Sequence, residues 1–375
     1  DNMLELEAAG GGYYAELNLQ MPPRAMDMTV FNLTAAPSLE DEDGLENLGL
    51  LIASRSVDSF SISAGSGGEM VLSFLKEKTY PPAAGEPPAS PKNLDKFTID
   101  NPSPQQTKLA SRLMALYYES HEHPHSFIVP GKLVDMLASG EYGAAVAFGQ
   151  ADQIGGCLIW RWRGNQTVQA YGPYIFGQDK ADEMAEALVE ACLAKMARTD
   201  ALSLIFSHAT EHLPKDYFEL LGHLTIYSQG GQTRERTHYY RQLNEDPGTQ
   251  IWTHPRLEEF LSAEYKKLFL PRELSSTSPE GESRPEHLVI GASVQRDMAY
   301  VSLHPLWDGK DAGACLARHV KVLSRDGLDN ILLFLDLGLP WSAYLAPDIL
   351  DNGFSPRLVL PYGGASGILV FLHEN

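Results

Sequence analysis

Four short segments of this chain have residue types and spacing that could do chemistry. Glu119, His121, Glu122, His123 and His125 crowd into the run ESHEHPH, where alternating histidines on a strand would share one face and ligate a metal. Pro124 interrupts that run, and the run falls between two helical patterns. A solvent-exposed turn is therefore expected, with a metal or acyl-acceptor site as the alternative and no metal assigned. Trp160, Arg161, Trp162 and Arg163 alternate along one strand-like run. Aromatic–basic interleaving suits stacked nucleic acid, but a half-buried strand with both tryptophans turned inward agrees better with the charge of the chain. Asp41-Glu42-Asp43 reads as a solvated lid segment. Asn47-Leu48-Gly49-Leu50 opens a short amphipathic helix that ends near Val57-Asp58. Gly49 matters there because backbone N–H groups at a helix start approach a phosphate only where no Cβ intervenes.

The elements that must position these groups are bounded by composition. With 375 residues, 43% of them hydrophobic, two or three domains with sizeable cores are expected. The formal net charge of −20 opposes binding to nucleic-acid backbones and docking on anionic membranes. No apolar run approaches the ~20 residues of a membrane span. Cys157, Cys192 and Cys315 are odd in number and far apart, which fits a reducing cytosol and offers no zinc pattern. A cytoplasmic protein is expected, with Cys157 and Cys192 as small buried hydrophobes.

Along the chain, strands are expected at Met26–Asn32, Ser59–Ser63 and Met70–Leu75, the last two joined by a Gly-rich hairpin. Residues 81–104, rich in proline, read as an extended, exposed linker. Helical spacing then covers Gln106–Tyr118, Gly131–Ser139 and Lys180–Arg198, with a shorter helix at Lys215–Leu221. Strands are expected at Gly143–Phe148, Gly156–Trp162, Thr167–Phe176, Leu202–Ser207, Leu224–Tyr227 and Tyr239–Leu243. The order then recurs: a helix at Pro255–Leu270, strands at Leu288–Val294 and Ala299–Pro305, and a helix at Ala312–Ser324. A strand at Ile331–Leu335, a helix ending at Asp351-Asn352-Gly353-Phe354, and strands at Arg357–Leu360 and Ile368–Leu372 complete it.

The segment Asn47–Lys78 resembles the end of a GHKL-type ATPase domain of the anti-sigma-factor serine kinase branch. The resemblance implies ATP-Mg, with Gly49 in the phosphate turn, Asn32 at the adenine-binding position and Asn2 at the Mg-binding position. It also implies a preceding half upstream of Asp1. The family's adenine-binding Asp is replaced by Asn32, and Asn47 replaces one of its two phosphate-turn glycines.

Residues 98–245 resemble the GNAT, or acyl-CoA N-acyltransferase, fold. The resemblance rests on the element order and on Tyr217-Phe218-Glu219-Leu220-Leu221-Gly222-His223, which parallels the family's FYekLGF signature. It implies that an acyl-CoA pyrophosphate sits at the start of the long helix, at Gln178 and Ala181. The recurring order implies a second, trimmed module with Lys310, Ala312, Gly313 and Ala314 in that role. It further implies a tyrosine as general acid. Phe218 occupies that place here, so Tyr217 is the candidate. Asp182 and Glu183 set negative charge against phosphates, whereas Gly313 and Ala314 allow a close approach.

The expected architecture is α+β. A partial histidine-kinase-like ATPase α/β sandwich (residues 1–80) and a linker (81–104) precede two GNAT-like mixed β-sheet modules flanked by helices (105–246 and 247–375). The function expected is a cytosolic signalling protein whose degenerate ATPase-like domain meets a regulatory protein partner and whose GNAT-like region transfers acyl groups from acyl-CoA. The alternative is a non-catalytic partner-switching scaffold. No nucleic acid or membrane partner is expected.

Overall fold

The computed structural model describes residues 5–9, 12–21, 56–64, 70–81, 88–150, 153–227, 233–295 and 300–374. Strands β1 (Glu5–Ala9), β2 (Tyr14–Met21), β3 (Ser59–Ala64) and β4 (Met70–Glu77) make an antiparallel sheet in the order β1-β2-β4-β3. The two strands expected around the Gly-rich hairpin are thus present. The ATPase-type sandwich expected for residues 1–80 is not shown by this sheet. Asn2, Asn32, Gly49, the Met26–Asn32 strand, Asp41-Glu42-Asp43 and most of the helix opened by Gly49 lie outside the described residues. Lys78 and Tyr80 tie this sheet to the next unit through Asp135, at 2.7 and 2.8 Å.

A seven-stranded sheet follows. Its strands are β5 (Thr98–Asp100), β6 (Tyr142–Phe148), β7 (Ile154–Arg163), β8 (Thr167–Ile175), β9 (Ser203–Ala209), β10 (Glu219–Tyr227) and β11 (Thr233–Gln242), in the order β10-β11-β9-β8-β7-β6-β5. Only β8 and β9 run parallel. Period-two alternation assigns each strand's residues to two faces. Leu158, Trp160, Val168 and Leu204 meet Met184, Leu188 and Cys192 of helix α3 (Ala181–Met196). On the other face, Val146, Ile159 and Tyr171 meet Leu113 of α1 (Pro104–Tyr117) and Leu133 of α2 (Pro130–Ala138). Helix α1 starts in a capping box: the Ser103 hydroxyl accepts from the Gln106 N–H, and the Gln106 side chain accepts from the Ser103 N–H. With layers on both sides, β8 is buried along its whole length.

Two expectations change here. The segment read as an exposed linker puts Leu94 into the core beneath α3. The helix expected at Lys215–Leu221 is a single 3-10 turn, Lys215–Tyr217, after which the chain is already extended as β10. Gly222 is therefore no helix cap. It sits at a bulge in β10 with φ at 154°, and a Cβ there would stand 3.3 Å from the Arg357 carbonyl of the next sheet.

Beyond the short parallel pair β12 (Gln250–Thr253) and β13 (Glu273–Ser276) and the helix α4 (Pro255–Lys267), a five-stranded sheet closes the chain. It comprises β14 (Val289–Gln295), β15 (Tyr300–Trp307), β16 (Asn330–Asp336), β17 (Phe354–Pro361) and β18 (Gly367–His373), with α5 (Ala312–Arg325) and α6 (Ala346–Asp351) between strands. Its order, β17-β18-β16-β15-β14, repeats β10-β11-β9-β8-β7 strand for strand. The single parallel pair, β15 with β16, falls in the same place and is bridged by a helix. The recurrence legible in the sequence is therefore a recurrence of topology.

The two sheets share one core. Ile205, Leu221, Leu224 and Tyr240 of the first pack with Leu332, Leu358 and Leu360 of the second. Polar groups fix the register between them. Thr167 Oγ1 donates to the Tyr362 carbonyl at 3.0 Å, and Lys267 Nζ donates to the Leu221 carbonyl at 2.8 Å.

Candidate functional site

Two helix starts, those of α3 and α5, are the ones that the acyltransferase resemblance assigns to a phosphate group. At α3 the segment 92–94 holds the residues just ahead of the helix, while the helix start itself has no side-chain cap. Gln178, buried, spends its carboxamide on the backbone: Nε2 donates to the carbonyls of Phe176 and Lys92, and Oε1 accepts from the Leu94 N–H. Asn93 exchanges hydrogen bonds with Asp179, side chain to side chain and side chain to N–H. Ala181 begins the helix, and Asp182 and Glu183 fill its first turn with negative charge. These acids complement the helix dipole and repel phosphate.

The start of α5 is covered by the segment before β14. The N–H groups of Lys310 and Asp311 donate to the carbonyls of Pro285 and Glu286, at 2.9 and 3.3 Å. Lys310 Nζ is held by Glu286 at the surface, so its charge is paired. Asp311 accepts from the Leu288 N–H, and Arg284 grips Asp308 with two bonds of 2.6 and 2.7 Å. Ala312 is buried in the core and Ala314 faces solvent. Gly313 faces Asp348, whose carboxylate would lie 2.7 Å from a Cβ placed there. Burial pushes that carboxyl above the usual range. Three carboxylates, Asp308, Asp311 and Asp348, lie about this helix start, the first of them paired with Arg284; the N–H groups of Lys310 and Asp311 ahead of the helix are bonded, and the helix itself has no side-chain cap. Acids at both helix starts oppose a pyrophosphate electrostatically.

This closure predicts a large steric effect. A Cβ on Gly309 would stand 1.9 Å from the Leu288 nitrogen and 2.2 Å from the His287 carbonyl carbon. Both are backbone atoms that no rotamer change relieves. Gly309→Ala is expected to lower stability by about 1–3 kcal/mol or more, read by denaturant unfolding. Wild-type stability in that variant would mean that the 284–288 cover is loose.

Tyr217 lies on the outer side of α3. Its hydroxyl donates to Glu186 at 2.6 Å and to Glu190 at 3.2 Å, and the Arg241 guanidinium lies 5.6 Å from its ring centroid. The bond to Glu186, with burial and Glu190 adding to it, pushes the phenol up to about 12, which makes it a poorer proton donor. The histidine run is not a fully exposed turn: His123 is buried at 1% exposure, and His121 contacts Arg234, which also pairs with Glu119. Among the described residues no group of three or more His, Cys, Asp or Glu could hold a metal. Of the two tryptophans expected to point inward, Trp160 does, whereas Trp162 is 41% exposed at the end of β7.

The opposite face of β7 carries the constellation that sequence reasoning missed. Arg161 stands opposite Gln169 in the ladder and Arg163 opposite Thr167. Arg236 and His238 leave β11 toward the same space, and Tyr171 meets His208 with ring centroids 5.6 Å apart. The second sheet closes over them with Tyr300 and His304 of β15 and Phe334 of β16. The Arg163 guanidinium lies 5.7 Å from the Phe334 ring centroid, and His304 stacks on that ring at 4.9 Å. Arg161 donates to the Tyr142 hydroxyl at 3.1 Å. Among the described residues, Arg163 and Arg236 have no carboxylate within ion-pair distance, and the groups acting on them are tyrosines and another arginine. Burial and the nearby arginines hold His238 down at about 3 and His304, beside Arg163, at about 4. Burial, then Arg236, drives His208 well below its usual value. The histidines are therefore neutral at neutral pH, and the charge of the cleft is guanidinium. The readable signal was the alternation of Arg161 and Arg163; nothing local pointed to Arg236, Tyr300 or His304.

No protein-family model and no curated protein sequence matches the chain. Solved structures similar to part of it are acetyltransferases. Aminoglycoside 6'-acetyltransferase type Ii matches at 16% identity and a TM-score of 0.33, over 40% of this chain and 99% of that one. An N-acetyltransferase from Staphylococcus aureus Mu50 matches at 12% and 0.34, over 40% of this chain and 100% of that one. Aminoglycoside 6'-N-acetyltransferase complexed with coenzyme A matches at 14% and 0.31, over 40% and 99%.

Proposed function

We propose that this chain is a binding protein that repeats an acyltransferase-like topology without using acyl-CoA, the partner-switching scaffold rather than the transferase. The observation that carries this reading is the negative charge that the chain's own residues set at both helix starts. A pyrophosphate bound at a helix start needs free N–H groups and an approach unopposed by negative charge. At α3, Asn93 and the Lys92–Leu94 backbone occupy the approach, and acids fill the first turn. At α5, Pro285 and Glu286 take the N–H groups of Lys310 and Asp311 ahead of the helix, and the carboxylates of Asp311 and Asp348 lie at its first turn. The place of Tyr217, bonded to two glutamates on the outside of α3, supports the same reading. In this reading the first 80 residues would meet a regulatory protein partner, and nucleotide would play no part.

The test is calorimetric and thermal titration with CoA and acetyl-CoA. Neither is expected to release heat or move the unfolding transition at about 1 mM, since a ligand at 100 times its Kd adds about 2.7 kcal/mol to stability. A Kd below about 100 μM would restore the transferase reading. Ala181→Glu and Gly313→Glu would then show which helix start holds the cofactor, according to which change weakens binding.

A further inference from the structure

The place where the two sheets meet holds positive charge that the described residues leave unanswered. The chain carries 49 acids against 29 lysines and arginines, yet none of those acids within the described residues pairs with Arg163 or Arg236. Both side chains are half-buried. Burying a charge without a partner is costly, and Arg161 adds like charge beside Arg163. An arginine cannot relieve that cost by losing its proton, so relief must come from an anion.

An unpaired donor beside them points the same way. Arg161 Nε is buried without a hydrogen-bond partner. Such orphans are uncommon, because each costs the desolvation of its group. Arg161 is already engaged by Tyr142, which leaves Arg163 and Arg236 as the two free forks. A planar guanidinium fork matches the oxygens of a carboxylate or a phosphate in two parallel bonds. Two such forks call for two negative charges. Phe334 and His304, with Tyr300 on the neighbouring strand, offer the ligand's body an aromatic surface.

The geometry points to a binding site for a small dianion, a phosphomonoester or a dicarboxylate, whose oxygens are taken by Arg163 and Arg236 and whose body rests against Tyr300, Phe334 and His304. This site lies apart from the helix starts of α3 and α5, so it stands or falls independently of CoA binding.

The experiment is titration of the full chain with inorganic phosphate, succinate and neutral succinamide at constant ionic strength, followed by calorimetry and thermal unfolding. Phosphate or succinate is expected to bind and raise the unfolding midpoint, and succinamide to do neither. Arg163→Gln and Arg236→Gln are each expected to weaken binding about tenfold or more, which is the loss of one charge-assisted pair. Their ligand-free midpoints should equal or exceed the wild type, since each removes a buried charge that no acid answers. A purely structural arginine would lower them instead. Binding of phosphate alone assigns a phosphomonoester, and binding of succinate alone assigns a dicarboxylate. If the glutamine variants fail to fold, Arg163→Lys and Arg236→Lys replace them, keeping charge but losing the fork, with weaker binding expected. The proposal is overturned if neither dianion binds at about 10 mM, if succinamide binds equally, or if the arginine variants bind like the wild type.

Discussion

Asp246→Ala is expected to cost the fold about 3–5 kcal/mol, because it strands a buried guanidinium. Arg272 has only 1% of its side chain exposed and Asp246 11%, and the two form a direct ion pair. The guanidinium lies between two aromatic rings, 5.5 Å from the Tyr265 centroid and 5.4 Å from that of Tyr362. Tyr265 belongs to α4 and Tyr362 follows β17, so the pair ties the connection after β11 to the last sheet. With the acid removed, Arg272 stays charged in that clamp. Asp246→Ala/Arg272→Met should recover much of the loss, since apolar groups fill such sites without desolvating a charge. Urea unfolding of the single and double variants decides the matter; a single-variant loss under about 1 kcal/mol would show the clamp to be water-filled.

The same pair sets a pH dependence. Burial would raise the Asp246 carboxyl, but Arg272 and the Gly248 N–H hold it below its ordinary 3.8. A group with a depressed folded-state value gives stability that is fully present above the unfolded value and lost as pH falls through the folded one. The contribution should therefore be intact above about pH 4 and fade below it, and Asp246→Asn should flatten that limb of the acid-unfolding curve.

Much of the fold was legible because alternation and helical spacing are local. The strands around Cys157, Gln169 and Ile205, and the helices around Leu188 and Cys315, all lie where their apolar periods put them. The Lys215–Leu221 helix failed for a physical reason. Phe218 and Leu221 are both buried, and a spacing of three reads as a helix. In extended chain the same spacing sends the two to opposite sides, Phe218 into the core under α3 and Leu221 into the core shared with the second sheet. Helix starts at Ala181 and Ala312 were visible, but their covers were not. Asn93 is distant in sequence from Asp179, and Pro285 from Lys310, and only tertiary packing joins them. The cleft was hidden likewise: Arg163, Arg236 and His304 belong to three strands in two sheets.

Asn330→Ala should be the most damaging polar truncation between the two sheets, at about 3 kcal/mol. Asn330 opens β16 and is fully buried. Its Nδ2 donates to the Tyr227 carbonyl at 2.8 Å and its Oδ1 accepts from the Tyr227 N–H at 2.6 Å. The carboxamide thus serves as one rung of a ladder between β16 and the end of β10. Alanine would leave both backbone groups of Tyr227 unanswered, at about 1–3 kcal/mol each when buried. Asn330→Asp keeps the volume but sets a carboxylate against a carbonyl, so it should be no better tolerated. The shared core predicts one cooperative transition for the wild type, and calorimetry should show Asn330→Ala lowering its midpoint. A loss below about 1 kcal/mol would mean that water replaces the rung. The effect should also reach the cleft. Asn330 pairs directly with Tyr300 in the β15–β16 ladder, so loosening the rung frees the tyrosine opposite Arg163 and Arg236. Affinity for phosphate or succinate should fall along with stability, without any change to either arginine.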